Sequence, residues 1–332
     1  MKILQVFFIF IAIFSHAFTA KGNVLRDKTY QPEAIRVANE EKSARDNSQD
    51  ISESDTGAQR PVILKKDGLS FFVGYDWKMF YQSNPTAQDL LESEVATGVW
   101  KDTLFAGTGL GIIDFDHFIL TPYAGVSFSR TDYLKSVSLI NDLDYYSSNA
   151  YILFLAQFGN GWSAKVGTSY SSDYLKKDSE ETFKEYYPNL SLLKSHSLNN
   201  SNRLFFETGI GYHYNEVDGS FQDPVTNLND GIDHKRNFDL FASFSWETTI
   251  GPITLLPKYK LTYRDYMNGS NKTRHDLVHD VSISISAYQN DYLKLSVNMD
   301  YVMQEDSRSA NYLPANYENF DLGANINLMA RF

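Results

Sequence analysis

Basic side chains recur at even-numbered positions within residues 253–266. Lys258, Lys260 and Arg264 share one face if this segment is extended, because successive side chains of a strand point to opposite sides. The odd-numbered positions are mainly leucine and tyrosine, so the other face is apolar. Such a row of cations attracts an anionic solute if it lines a channel, and otherwise it is a solvated face.

Acids and bases also occupy the polar face of the other alternating segments. The predicted lumen-lining set is Asp76, Lys78, Lys165, Glu207, Asp239, Glu247, Lys258, Lys260, Arg264, Asp280, Lys294, Asp300, Asp321 and Arg331. The two signs are roughly balanced. This balance fits either an aqueous constriction that orients a polar solute or a salt-bridged plug.

Histidine and acidic residues cluster near one predicted rim, at residues 233–234, 275–276 and 279–280. His275 and His279 lie about 13 Å apart along an extended strand, so they cannot share one metal ion. The acidic loop 215–236 lacks the alternating ligands of a helix-loop-helix calcium site. We therefore predict no metal and no cofactor.

These side chains are positioned by period-two segments, which begin near residue 69 and predict twelve strands. The predicted strands are 69–82, 102–113, 117–130, 145–158, 162–173, 183–197, 203–215, 236–248, 253–266, 276–288, 292–303 and 320–332. The second strand is rich in glycine, which predicts a nearly bare polar face there. Gly159-Asn160-Gly161 predicts a tight turn.

Short and long connections alternate along the chain. The long ones lie near 83–101, 131–144, 174–182, 216–235, 267–275 and 304–317. This alternation predicts an all-β, antiparallel, up-and-down transmembrane barrel with both termini in the periplasm. A soluble β-sandwich would also contain many short strands, but it does not explain the alternation. Twelve strands lie between eight, whose interior is filled, and sixteen, whose channel is open.

The last strand ends on an aromatic residue. Its odd-numbered positions are largely polar, whereas Phe320, Leu322 and the following even positions to Phe332 form an apolar, outward face. This strand resembles the final strand of bacterial outer-membrane barrels, which typically ends on a Phe that the assembly machinery recognises. We therefore predict that Phe332 is an assembly signal and that this machinery is a partner.

The N-terminal residues indicate export. Met1-Lys2 is followed by an apolar run to Phe14 and small residues near position 20, which predicts a signal peptide over 1–20; a buried helix is the alternative. Residues 21–67 are polar and predict a flexible periplasmic extension or a docking segment, and 68–332 is the predicted barrel.

Composition excludes several classes of protein. The 332 residues contain no Cys, so disulfides and thiolate metal sites are excluded. The formal net charge of −11 argues against a nucleic-acid partner. Tyr, Phe and Trp make up 15% of the chain, as expected for aromatic girdles in contact with lipid and lipopolysaccharide.

Two comparisons with enzymes are weak. His196-Ser197 with nearby asparagines has the residue types of the outer-membrane phospholipase, but adjacent residues of a strand point to opposite faces. The rim His and Asp residues resemble those of outer-membrane aspartyl-type proteases, although a polar girdle explains them equally. A hydrolase is therefore the third hypothesis, and no catalytic residue is predicted.

Two stretches extend the resemblance to a family. Residues 74–85, with a Tyr-rich strand followed by Gln-Ser-Asn-Pro, and residues 263–319, with Tyr-Arg-Asp and Arg-His-Asp triplets, resemble the β-barrel porin-2 type families. Gln82 departs from the Asp common there. The barrel of surface lipoprotein assembly modifiers is also similar, but its N-terminal helical repeats are missing.

The resemblance implies an outer-membrane location in a Gram-negative bacterium and a porin or export role linked to surface polysaccharide. The charged lumen face predicts a narrow channel for small polar or saccharide solutes. The alternative is a plugged structural barrel, adhesin or receptor that presents its long loops outside the cell.

Overall fold

The computed structural model describes residues 69–84, 96–115, 117–134, 144–177, 181–217, 236–267, 272–287, 292–306 and 317–332. The strands are β1 (Ser70–Gln82), β2 (Thr97–Gly109), β3 (Ile113–Phe115), β4 (Phe118–Tyr133), β5 (Tyr145–Phe158), β6 (Trp162–Leu175), β7 (Glu181–Asn199), β8 (Asn202–Val217), β9 (Asn237–Ile250), β10 (Ile253–Tyr266), β11 (His275–Ala287), β12 (Leu293–Asp306) and β13 (Tyr317–Arg331). Within these ranges, no helix has the length and apolar character needed to cross a membrane.

The sheet closes on itself as an antiparallel barrel of twelve strands, which confirms the predicted fold class. From β4 to β13 each strand pairs with the next, β13 pairs with β1, β1 with β2, and β2 with β4. Among the described strands, closure gives every member of the ring a partner on both sides. The predicted signal peptide and N-terminal extension lie outside the described residues.

The short strand β3 corrects the predicted second strand, 102–113. Strand β2 ends at Gly109, and β3 continues its line beside β4 with the register shifted by one residue, from Gly109 opposite Tyr123 to Ile113 opposite Leu120. Gly111 has a φ of 96°, which glycine adopts without steric cost, so the chain bulges there before it pairs with β4 again. The alternating pattern continues through this break, which is why the sequence did not reveal it.

The two ends of the barrel differ in their connections. The turn end carries the short connections, such as the three-residue turn Gly159–Gly161 between β5 and β6. Asn160 and Gly161 have positive φ angles there, as the predicted tight turn requires. The loop end carries the long connections.

Side chains alternate between the lumen and the outside along the strands, apart from register shifts near Asp173 and Ser197. The exposed outward face is apolar on every strand of the ring, with Phe71, Val73, Leu104, Val126, Phe154, Val166, Leu190, Ile210, Leu240, Ile285, Val297 and Leu322 as examples. Aromatic side chains lie near both ends of this apolar face. Trp77 packs against Trp100 near the loop end, and Phe118 stacks on Phe115 near the turn end.

Candidate channel interior

A cavity of about 550 Å³ occupies the loop-end half of the lumen. It is lined by ten charged side chains, five of each sign: Lys78, Lys101, Lys260, Arg264, Lys294, Asp173, Glu185, Asp280, Asp300 and Asp321. The strand alternation aims these residues inward, because the apolar partners of each strand face outward. The cavity has the size of an ordinary small-molecule site.

Strands β4 to β6 give the cavity an uncharged polar wall. Ser127, Ser129 and Thr131 line it from β4, and Ser147, Asn149 and Ser171 line it from β5 and β6. Hydroxyl and amide groups both donate and accept hydrogen bonds. This wall can therefore hydrate or bind a polar solute without selecting its charge.

Strands β12, β13, β1 and β2 place like charges opposite each other. Lys78 is the direct cross-strand partner of Lys101, and Asp300 is the direct partner of Asp321. Lys78 Nζ lies 3.1 Å from the carboxylate of the buried Asp76, while its own side chain keeps 35% exposure. Like charges that face each other across neighbouring strands repel, so each of these side chains needs a compensating partner elsewhere.

A largely buried ion pair lies on the lumen side of the wall, where it joins β6 and β8 across β7. Lys165 on β6 pairs with Glu207 on β8, and Ser191 Oγ donates to the same carboxylate at 2.8 Å. Charges withdrawn from water need such partners to be tolerated. Lys165 and Glu207 therefore act as a brace between strands rather than as cavity lining.

A second buried network contains a histidine. His213 Nδ1 lies 2.9 Å from Glu185 Oε2 and its Nε2 lies 3.5 Å from Asp239 Oδ2. The Tyr187 ring stacks on the imidazole with centroids 4.2 Å apart, and its hydroxyl donates to Asp239. The parity of β8 places His213 inward, but its contacts cross three strands and have no signature in the sequence.

The loop end of the lumen holds a further ionic cluster. Arg274, just before β11, donates from Nε and Nη2 to Asp276 at 2.6 and 3.0 Å, and its Nε lies 3.4 Å from Asp306. The guanidinium also lies over the buried Tyr266 ring. These contacts fasten β10, β11 and β12 together where they leave the barrel.

On the side formed by β13, β1, β2, β4 and β5, apolar side chains occupy the turn-end half of the lumen. The buried cluster consists of Phe72, Phe105, Tyr123, Tyr151, Leu153, Leu155 and Met329. The prediction of a bare glycine face on β2 is wrong. Phe72 covers Gly107 so closely that an added Cβ would lie 2.3 Å from its ring, so the glycines make room for aromatic rings.

The predicted lumen residues divide between these environments. Lys78, Lys260, Arg264, Asp280, Lys294, Asp300 and Asp321 line the cavity. Asp76, Lys165 and Asp239 are buried, and Glu207, Glu247 and Lys258 lie at inward positions outside the cavity lining. Arg331 ends β13, but its side chain lies outside the described residues. A role for any of them in solute passage stays a prediction.

The predicted lumen-lining set does not include Lys101, Asp173, Glu185, His213, Arg274 or Asp276. Lys101 lies before the predicted second strand, which began at residue 102. Strand β2 in fact begins at Thr97, and the alternation of side chains within it then places Lys101 inward. The strand boundary, rather than the residue type, concealed it.

The rim histidines point outward. His275 stacks on Tyr263, with its Nδ1 3.0 Å from Asp265, and His279 hydrogen-bonds to Tyr259. They therefore belong to an outward polar and aromatic girdle, while His234 lies outside the described residues. Among described side chains no group of three or more His, Asp or Glu could hold a metal ion.

The stretch 196–202 spans the end of β7, the two-residue turn at 200–201 and the first residue of β8. Asn199 Oδ1 accepts hydrogen bonds from the Ser201 backbone and the Asn202 amide, both at 2.9 Å. Asn202 Oδ1 in turn accepts from the Trp246 indole. These asparagines therefore have a structural role in the turn.

Ion pairs also lie on the outward face at the loop end. Arg130 and Lys176 both contact Asp132 at 2.6 Å, and Lys176 reaches Asp144 at 3.4 Å. The hydrogen bond to Asp132 raises the pKa of Lys176, which lies beyond the end of β6. Exposed pairs of this kind contribute little to stability individually.

Comparisons with known proteins concern the barrel alone. No family model matches the chain, and no curated protein sequence matches it, so the porin-2 type is not confirmed. Similar solved structures include an outer membrane channel from Pseudomonas putida F1 (10% identity, TM-score 0.49, 84% of this chain and 100% of that chain).

Two further solved barrels show the same level of likeness. The KdgM porin in complex with disordered oligogalacturonate is 14% identical, with a TM-score of 0.39, and the match covers 77% of this chain and 98% of that one. The beta domain of the Bordetella autotransporter BrkA is 10% identical, with a TM-score of 0.43 over 79% of this chain and 99% of that one. Likeness at this level concerns architecture and carries no argument about solutes.

Proposed function

We propose that the protein is an outer-membrane channel for small polar solutes, saccharides among them. The outward face supports the membrane location. Large apolar side chains stay exposed on all twelve strands of the ring, far more than a water-soluble monomer displays. A closed barrel also satisfies its own backbone, as lipid requires.

The observation that carries the proposal is the polar cavity inside the closed ring. Its walls combine ten charges with hydroxyl and amide groups, so water and polar solutes are favoured there over lipid or apolar ligands. A barrel that needed only stability could fill this volume with apolar side chains, as it does at the turn end.

The connection lengths support the orientation. Membrane barrels have short periplasmic turns and long extracellular loops. The turn end then faces the periplasm and both termini lie on that side. The cavity then lies in the half of the lumen nearer the cell exterior, and the girdle near the loop end contacts lipopolysaccharide.

A second candidate is a plugged receptor or adhesin. The apolar cluster at the turn end favours it, because seven buried side chains narrow the path to the periplasm on the β1–β5 side. In that case the cavity would bind a ligand without passing it.

Conductance across planar lipid bilayers distinguishes the channel from the plugged receptor. A channel gives discrete current steps in potassium chloride, and charge reversal of Lys78 and Lys101 to Glu shifts its ion selectivity toward cations. Sealed bilayers from barrels that still show heat-modifiable gel migration would exclude the channel and favour the plugged receptor. A band without this shift, found in the soluble periplasm, would overturn the membrane location.

A further inference from the structure

One arm of the cavity extends toward the turn end along β12. Its lining on this strand runs from Val302 down to Lys294, which directly follows Leu293, the first residue of β12. On β1 and β4 the lining ends at Lys78 and Ser127, near the middle of each strand. The cavity is therefore oblique, and this β12 arm passes beside the apolar cluster of the turn end.

Small uncharged polar side chains line the β12 arm. Ser296 and Asn298 belong to β12, and Asn325 of β13 is the direct cross-strand partner of Ser296. Ser286 of β11 faces Ser296 from the other side, and both serines are buried. On this side of the barrel, hydroxyl and amide groups thus take the place of the rings that pack together on the β1–β5 side. Such groups favour water and polar solutes over apolar ones.

Two buried amide atoms of β13 have no hydrogen-bond partner among the described residues. They are Asn325 Oδ1, an acceptor, and Asn327 Nδ2, a donor. The two residues lie on the same inward face, about 7 Å apart along the strand, and Asn327 is only 4% exposed. Buried polar atoms nearly always hold a hydrogen bond to protein, water or a ligand. Hydroxyl groups suit both atoms, because a hydroxyl donates as well as accepts.

Charged side chains flank the β12 arm and have partners of their own. Asp300 lies above the arm and Lys294 at its lower end, and both interact with other groups of the protein. Asp76, the direct cross-strand partner of Asn327 on β1, contacts Lys78 at 3.1 Å. The arm therefore meets a solute mainly with uncharged hydrogen-bonding groups.

We propose that hydroxyl-rich solutes of the sugar class pass the apolar cluster through the β12 arm. Asn327 Nδ2 donates to a solute hydroxyl and Asn325 Oδ1 accepts from another. A single sugar ring carries hydroxyls on several carbons, so one molecule can meet both amides, while Ser296 and Asn298 hydrogen-bond to its other side. The inference rests on the proposed channel function, and it gives that channel a route and a class of solute.

Cysteine accessibility tests the route, because the chain contains no native cysteine. The Ser296→Cys barrel is placed in planar bilayers and treated with a charged, membrane-impermeant methanethiosulfonate, which should lower the single-channel conductance about twofold or more by narrowing the pore. Val297→Cys, whose side chain is outward and 48% exposed, and Leu153→Cys, within the apolar cluster, are the controls and should not respond. Block of Leu153→Cys without block of Ser296→Cys would overturn the proposal.

Swelling of proteoliposomes in isotonic arabinose tests the recognition of hydroxyls. Asn325→Leu with Asn327→Leu keeps the side-chain size and removes the hydrogen bonds, so arabinose entry should fall about fivefold while conductance in potassium chloride falls less than about twofold. Asn189→Leu is the control and should change neither, because the Asn189 amide donates to the Tyr187 carbonyl. An equal fall in sugar entry and conductance would mean that these residues affect only the width of the pore, and would overturn their role in recognition.

A second double variant covers a failure of the leucine variant to fold. Asn325→Ser with Asn327→Ser retains a donor and an acceptor at each position, so most of the arabinose entry should persist. Loss of arabinose entry in this variant, in a barrel with heat-modifiable gel migration, would contradict hydrogen bonding as the basis of passage.

The outcomes separate this inference from the channel itself. Wild-type conductance, with no response in Ser296→Cys and no loss of arabinose entry in the leucine variant, would retain the channel and exclude this route. Silent bilayers from heat-modifiable wild-type barrels would exclude the channel, and the route with it.

Discussion

The two halves of the lumen are built by the same alternation of inward and outward side chains, but one is apolar and packed and the other is charged and contains a cavity. At the turn end, inward side chains from β1, β2, β4, β5 and β13 interdigitate as in the core of a soluble protein. At the loop end, the same strands and their neighbours turn Lys78, Lys101 and Asp321 toward an open cavity. Alternation thus decides which side chains enter the lumen, and residue size and charge decide whether they fill it.

This difference suggests a division of labour. The apolar half can stabilise the narrow barrel, because buried rings gain free energy from removal of water. The charged half tolerates repulsive pairs that reduce stability. Damage to the first should therefore appear in unfolding, and damage to the second in solute discrimination.

Phe105→Ala is expected to have the largest effect on stability. The ring lies against Phe72 with centroids 6.4 Å apart and is almost fully buried, so its loss should cost about 3–5 kcal/mol. Urea unfolding from lipid vesicles measures this loss. Leu104→Ala is the control, because Leu104 is the outward neighbour with 59% exposure and should lose clearly less. Similar losses in both variants would refute the core-like packing.

Glu207→Gln should rank second. It leaves Lys165 buried without its charged partner, which costs about 3 kcal/mol in comparable pairs. Adding Lys165→Met should restore part of the loss, and the coupling between the two sites should exceed about 1 kcal/mol. Additive losses in urea unfolding would mean that the pair does not brace the lumen.

The fold could be predicted from sequence for two reasons. Apolar and polar residues alternate in one strand after another, and the connections between the strands alternate in length. The interior could be predicted only in part. The pattern gives Asp239 an inward direction, but its contact with His213 and Tyr187 depends on the stagger between β7, β8 and β9. Stagger is set by the closure of the whole ring, which no local pattern records.

The apolar cluster was hidden for a related reason. Phe72, Phe105 and Met329 occupy polar-face positions, where they interrupt the alternation in each strand. Taken singly, each is an exception to the pattern. Only the ring order, which places β13, β1, β2, β4 and β5 side by side, turns the exceptions into one packed group.

His213→Gln should have an intermediate effect, with a loss of about 2 kcal/mol. The imidazole lies between Glu185 and Asp239, and its removal leaves two neighbouring carboxylates without the group that holds them apart. Urea unfolding measures the loss. His196→Gln, at an exposed position near the turn end, is the control and should stay within about 0.5 kcal/mol of the wild type. An unchanged free energy of unfolding in His213→Gln would mean that the network does not stabilise the barrel.

Phe332→Ala should change stability least and assembly most. The Phe332 side chain is 79% exposed, so little packing is lost, within about 0.5 kcal/mol. The Phe332 backbone would still exchange hydrogen bonds with Phe71, at 2.9 and 3.2 Å, and keep β13 closed against β1. We expect fewer barrels in the outer membrane but unchanged urea unfolding of those that insert, with Phe332→Tyr restoring the yield. Normal membrane levels of Phe332→Ala would mean that the terminal ring is not the assembly signal.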